Sequence, residues 1–309
     1  MERPQETQPL ATDRAADEAV AVQPTVAVPS ARGRGLAWGD AVLNGLTVLY
    51  FLFALFPLVW MLILSLKPQD DLFTTYFRFQ PTLAAYREVL GGSGEVGSHF
   101  LRFFANSLIV SLGAVAISIV VGVPAAYAFA RWKFRGGESL LFTLLSFRFA
   151  PELMVIIPLL VIYRRIGLFD THRGLIWVYQ LITLPLIVWI LRSYFQDLTP
   201  ELEQSALLDG YNRPQAFLKV AVPLIRPGLA AASLLAFIFA WNSFVFPFAL
   251  TGSNAQTVTV GSLSFLGGAT PRYNLTAAAA LIALIPPLIL ALAIQRYLVR
   301  GLTFGAVKG

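Results

Sequence analysis

The chain has 309 residues, of which 57% are hydrophobic and only 13% charged, with a mean hydropathy of +0.68. A soluble globular domain carries about 25% charged residues, and a core of this size cannot hide so much apolar surface beneath a wet shell; a soluble enzyme is excluded. There is no cysteine, and the two histidines, His99 and His172, lie far apart, which removes disulfides, thiolate nucleophiles and Cys/His metal clusters.

Residues 1–37 mix Pro, Ala, Glu, Asp and Arg without an apolar run, which reads as a disordered cytoplasmic tail and not as a cleaved signal. The remainder, 38–309, reads as one membrane domain. A bilayer core takes about 20 apolar residues of helix, and six stretches qualify: about 41–66, 103–130, 139–163, 174–194, 227–250 and 273–296. Backbone groups in lipid must be bonded within their own segment, so each stretch is expected to be helical. The fold class is therefore an all-α membrane protein with six transmembrane helices and both termini on one side. With the N-terminus inside, Lys and Arg near span ends divide twelve inside to eight outside, which favours cytoplasmic termini. The cluster Arg131 to Arg135 supports this and the pair Arg164-Arg165 opposes it. Residues 67–102 form the largest outer loop, broken by Gly91-Gly92-Ser93-Gly94.

Arg148 and Glu152 are the charges inside a span. Four residues apart, they can share a helix face and pair, either as a structural ion pair or as a polar wall of a solute path. Asn106, Gln180 and Asn242 lie in or near span ends, where an interhelical hydrogen bond is the ordinary role. Asn242 beside Trp241 is the better pathway candidate, since sugars are held by planar hydrogen-bonding groups and aromatic faces. His99 and His172 read as surface residues of outer loops. Prolines 124, 151, 158, 185, 247, 286 and 287 fall in or beside spans, each removing a backbone donor and bending its helix, as suits helices around a cavity. No phosphate-binding loop or Rossmann glycine pattern is present in the sequence.

Between spans four and five, residues 199–223 have a grammar of their own. Thr199 can cap a helix, Pro200 suits its first position, and Glu201 and Glu203 favour its positive end. Gly210 can take positive φ and stop it, and Pro214 can start a second short helix. Leu202, Ala206 and Leu207 can share an apolar face. Two short helices around a glycine turn are expected, lying at the membrane surface. They serve either as an amphipathic rest on lipid headgroups or as a docking element for a cytoplasmic protein; the acidic first turn favours docking.

The run Glu201-Leu-Glu-Gln-Ser-Ala-Leu-Leu-Asp-Gly210, followed by Val222-Pro223, resembles the EAA loop of binding-protein-dependent ABC importer permeases. Asn106-Ser107-Leu108, Ala125 to Arg131 and Trp241-Asn242-Ser243-Phe244 resemble the carbohydrate-type members. The ending Gly301 to Gly309 resembles that of the maltose-type second permease subunit. The resemblance covers about residues 40–309. It implies a cytoplasmic coupling helix, carried by Glu201, Glu203, Gln204, Ser205, Ala206, Asp209, Gly210 and Pro223, that fits a cleft of an ATPase subunit. Gln204, Ser205 and Ala206 stand where Glu-Ala-Ala is usual, so any salt bridge from the first of these positions is lost while the docking shape is kept.

On this resemblance the chain is expected to be the non-enzymatic permease subunit of an ATP-driven sugar or polyol importer in a bacterial or archaeal cell membrane. Its partners would be a second homologous permease, two ATPase subunits that bind ATP and Mg, and an extracytoplasmic solute-binding protein; nucleic acid is not expected. The chain itself is expected to hold no cofactor and no metal. Arg148, Glu152, Trp241 and Asn242 are the pathway candidates. The alternative is an ion-coupled secondary carrier, which needs a mid-membrane carboxylate; Glu152 is the one candidate, and Arg148 would neutralise it. An intramembrane enzyme would need an Asp pair, a Ser/His pair or a metal set in the spans.

Overall fold

The computed structural model describes residues 34–73, 77–91, 99–149, 151–267 and 271–305. The expected tail lies almost wholly outside the described residues, as do the Gly92 to Gly94 break and the last four residues. Every regular element among the described residues is helical. The chain divides into two compact units after Leu55. Helix α1 (Arg34–Ser65) runs through the division and contains Pro57. Its stretch from Gly39 to Ser65 is long and apolar enough to cross a membrane.

The second unit continues with the short α2 (Ala84–Gly91) and then α3 (Phe100–Arg131). At 1.5 Å per residue, α3 is about 48 Å long. Its buried face carries Ser107, Ser111, Ala114, Ser118, Gly122 and Ala126 at spacings of three or four. Small residues in such a row let two helix backbones approach closely where lipid supplies no hydrophobic drive. The helix received there is α7 (Gln180–Asp197), whose Ile187, Val188, Leu191 and Phe195 are buried.

Three of the expected spans are broken helices. The third is not one helix but α4 (Gly137–Phe149) and α5 (Glu152–Arg165), set at 90°. Pro151 sits at the N-cap of α5, where its missing N–H costs nothing. The fourth is α6 (His172–Val178) followed by α7, bent by 43° at Tyr179. The fifth, expected as an unbroken 227–250, is a helix α11 (Arg226–Trp241), a break at residues 242–244 and a short α12 (Val245–Leu250). α11 is joined at 73° to the helical segment from Arg213 to Leu224. Two of the described helices besides α1's apolar stretch are individually long and apolar enough to span: α3 and the first 23 residues of α14 (Tyr273–Gly305). The spans number six if each bent pair is one crossing.

The main core joins α3, α7, α11 and α14 through Val123, Ile187, Leu191, Ala236, Phe237, Trp241 and Ala278. Two polar side chains tie its helices together. Gln180 accepts from the Ser118 hydroxyl at 2.6 Å and donates to the carbonyls of Ala114 (3.1 Å) and Ile176 (3.0 Å). It thus ties α3 to both halves of the broken fourth span. Trp241 donates its indole N–H to the Ala283 carbonyl at 3.1 Å. That carbonyl would ordinarily receive the N–H four residues on, and residue 287 is a proline without one. The tryptophan supplies the missing donor from a neighbouring helix.

Candidate functional site

At the end of the molecule where α3 terminates, α8 (Pro200–Leu208) follows α7 after a two-residue corner. Its start follows local rules: Thr199 occupies the N-cap position, although its side chain makes no capping bond, and Pro200 opens the helix. Its stop is set by Gly210 at φ +91°. The Gly210 N–H reaches the Leu207 carbonyl (3.2 Å) and the Tyr211 N–H the Ala206 carbonyl (3.0 Å), the paired bonds of a Schellman stop. The second short helix begins one residue earlier than expected, as α9 (Arg213–Ala216), with Asn212 as cap. Asn212 and Gln215 form a reciprocal capping box, with bonds of 2.9 and 3.0 Å. A π-helical turn, Phe217–Ala221, and α10 (Val222–Leu224), which contains a half-buried Pro223, lead into α11.

Only Ala206 and Glu203 of α8 turn inward. Leu202 and Leu207, expected to share the apolar face with Ala206, are instead exposed, and Leu208 is 89% exposed. Glu201, Gln204, Ser205, Asp209 and Gly210 are exposed as well. Glu203 is held from inside the chain. Arg131, the last residue of α3, donates to its Oε1 from Nε (2.9 Å) and Nη2 (2.6 Å), and to the Leu198 carbonyl from Nη1 (3.1 Å). The Tyr127 hydroxyl donates to Glu203 Oε2. Nothing in the local pattern of residues 199–223 reveals this, because the partners are 72 and 76 positions away.

A second feature is a cavity of about 410 Å³ bordered by α11, α14 and the segment of α13 (Val258–Gly261) with the 3-10 turn after it. Trp241, Asn242, Thr259, Ser262 and Pro287 are among its walls. Trp241 is buried against Phe104 and Phe237 with its N–H already committed. Asn242 is exposed, and its Nδ2 donates to the Ile238 carbonyl at 2.8 Å.

Arg148 and Glu152 do not share a helix face. Pro151 starts a new helix between them, so the i, i+4 geometry never forms. They border one small cavity of about 40 Å³, but no ion pair joins them among the described residues. The Arg148 guanidinium lies 4.3 Å from the centre of the Phe239 ring.

The opposite end of α3 is knit to two loops. Asn106 donates to the carbonyls of Asn254 (2.8 Å) and Gln256 (2.9 Å), and Ser107 accepts from the Val258 N–H at 2.8 Å. His172, expected as a free surface residue, is half-buried, with Nε2 at 2.7 Å from Asn106 Oδ1. Asp170, at φ 56°, accepts from the backbone N–H of Ala255 at 2.9 Å and of Asn254 at 3.1 Å. Burial works to raise the Asp170 carboxyl, but the backbone donors of Ala255, Asn254 and Gly252 outweigh it and hold its pKa below the ordinary 3.8. No group of three or more His, Cys, Asp or Glu poised for a metal occurs among the described residues.

The architecture has solved counterparts. A bacterial ABC transporter involved in the import of the acidic polysaccharide alginate superposes with a TM-score of 0.68 at 23% identity, over 86% of this chain and 98% of that one. Among characterised sequences, the trehalose transport system permease protein SugB of Mycobacterium tuberculosis is 38% identical over 274 residues, 87% of this chain and 97% of its own length. The trehalose/maltose transport system permease protein MalG of Thermococcus litoralis is 33% identical over 267 residues, 85% of this chain and 94% of its own. Residues 118–304 match the family described as binding-protein-dependent transport system inner membrane component, and the chain belongs to that family.

Proposed function

We propose that this chain is the permease subunit of an ATP-driven importer for a sugar or polyol, with α8 as its coupling helix. The observation that carries this is the disposition of α8: an internally anchored helix whose outward edge, from Gln204 and Ser205 to Leu207 and Leu208, is exposed beside a glycine stop. An exposed leucine edge on a short helix suits a cleft in a partner. The likeness to trehalose and maltose permeases over nearly their whole length supports a carbohydrate solute.

In this reading the α8 end and both termini are cytoplasmic. Two ATPase subunits bind ATP and Mg, one of them against α8, a second permease completes the path, and a solute-binding protein docks at the opposite end. ATP chemistry belongs to the partners, and this chain converts their closure into a change of access because the partners bind its two states unequally. The solute path runs past Asn242, Thr259 and Ser262, whose oxygens accept from sugar hydroxyls, with Trp241 as a wall and its neighbours' anchor. Arg148 and Glu152 line its side near α5.

The test is purification from mild detergent with this chain as bait, followed by mass spectrometry and solute uptake. A second permease and an ATPase should copurify, and Gly210→Val should lose the ATPase. A Cβ at 210 meets no neighbouring atom and the backbone there stands at φ +91°, so the loss would come chiefly from the positive φ that a β-branched side chain opposes. Recovery of this chain alone, with uptake that survives ATP depletion, would sink the proposal and favour an ion-coupled carrier.

A further inference from the structure

The exposed edge of α8 transmits force only if its buried edge is fastened to something that moves, and that fastening is unusually narrow. Within α8 only Ala206 is buried as an apolar contact. A cavity of about 160 Å³, bordered by Tyr127, Arg131, Trp132, Glu203, Leu207 and Arg213 among others, lies beside the attachment. Packing alone therefore does not wedge the helix in place.

What fastens α8 is one carboxylate with both oxygens engaged. Arg131 grips Oε1 with two nitrogens and Tyr127 grips Oε2. The side chains of the ion pair are each 13% exposed, so water competes weakly with them. The sites suit their charges: Arg131 ends one helix and Glu203 lies in the first turn of another. The third donor of Arg131, on the Leu198 carbonyl, brings the end of α7 into the same knot. The Tyr127 ring lies against Phe195 of α7 (5.3 Å between centres) and Phe217 of the π-helical turn (4.7 Å). From that knot α3 runs unbroken to Asn106 and Ser107, which hold the 254–258 segment at the far end.

We propose that Tyr127 and Arg131 are positioning residues that clamp the coupling helix to α3 through Glu203, making α3 the lever that carries a displacement of α8 to the 254–258 segment. The proposal rests on the coupling-helix reading above and adds the route. Glu203 then acts within the chain and is not a contact for the ATPase, whereas Gln204, Leu207 and Leu208 face the partner.

The experiment uses the assembled complex in proteoliposomes and measures ATPase copurification, ATP hydrolysis and solute moved per ATP, with trehalose and maltose as probes. Arg131→Met and, more gently, Tyr127→Phe should leave the ATPase bound and hydrolysing while solute moved per ATP falls at least tenfold for Arg131→Met and about threefold for Tyr127→Phe. The exchange Arg131→Glu with Glu203→Arg keeps the ion pair but reverses the helix-end charges and gives up the Tyr127 and Leu198 bonds, so it should recover part of the ratio, at least threefold above Arg131→Met, a rescue that a generally weakened fold would not show. An unchanged ratio in both single variants overturns the clamp. Loss of the ATPase from the single variants, unrestored by the exchange, overturns it too, because the pair would then serve docking. If the parent chain itself recovers no ATPase, the coupling reading falls and the clamp falls with it.

Discussion

The two ends of α3 are held in opposite ways. At the α8 end, one carboxylate, one guanidinium and one phenol make the attachment, and most of the attached helix remains exposed. At the other end, Asn106, Ser107, Asp170 and His172 spread their bonds over the backbone of residues 254–258 and over one another. A point attachment lets a helix swing as one body, whereas a distributed one fixes the path of a loop. On the coupling reading proposed above, the α8 end would take the push and the other end would keep its shape, so substitutions at the two ends should separate function from stability.

The largest effect should come at the knitted end from Gly174→Ala. A Cβ there would stand 2.2 Å from the Leu168 backbone oxygen, and backbone cannot swing aside as a side chain can. Thermal melting of the purified protein should report about 3 kcal/mol of destabilisation; an unshifted melting curve would show the loop to be softer than its hydrogen bonds suggest. Asp170→Asn, in the same corner, should cost about 1.5 kcal/mol, since bonds to a charged acceptor weaken. Because the folded carboxyl titrates below 3.8, its contribution is complete above that pH and is lost as pH falls through the depressed value. Melting temperatures measured from pH 6 down to 3 should therefore fall more steeply for the parent than for Asp170→Asn.

The α8 end should behave differently. Gly210→Ala places a side chain at φ +91° with no neighbour to strike, so it should cost about 1 kcal/mol of stability while transport falls by a much larger factor. Equal losses in both would erase the distinction between the ends. The smallest effect serves as a control between them. Trp241→Phe should cost about 0.6 kcal/mol by orphaning the Ala283 carbonyl. In the Pro287→Ala background the cost should shrink, since residue 287 regains a backbone donor; additive costs in the double variant would refute the substitution of one donor for the other.

Much of this organisation is legible in the residues themselves. The all-helical class, the apolar stretches and the stop at Gly210 are consequences of local chemistry: bilayer thickness, helix periodicity and the φ each residue tolerates. The second short helix starts at Arg213, one residue before Pro214, because Asn212 supplies the cap. Hydropathy averages over Pro151 and so does not reveal the break in the third span, which separates Arg148 from Glu152. His172 looked free because its partner, Asn106, is 66 positions away.

The sequence alone determined a helical chain with membrane-length apolar stretches, the start of α8 at Pro200 and its stop at Gly210, and the family to which its surface loop is similar. Only the tertiary structure decided which polar groups meet: Arg131 with Glu203, Gln180 with Ser118, Trp241 with the carbonyl left open by Pro287. The reason is the range of the forces involved. Caps, turns and periodicity act within about four residues and are written locally, whereas a buried polar group must find its partner wherever packing brings one, since leaving it unpaired in an apolar medium costs more than any local preference can offset.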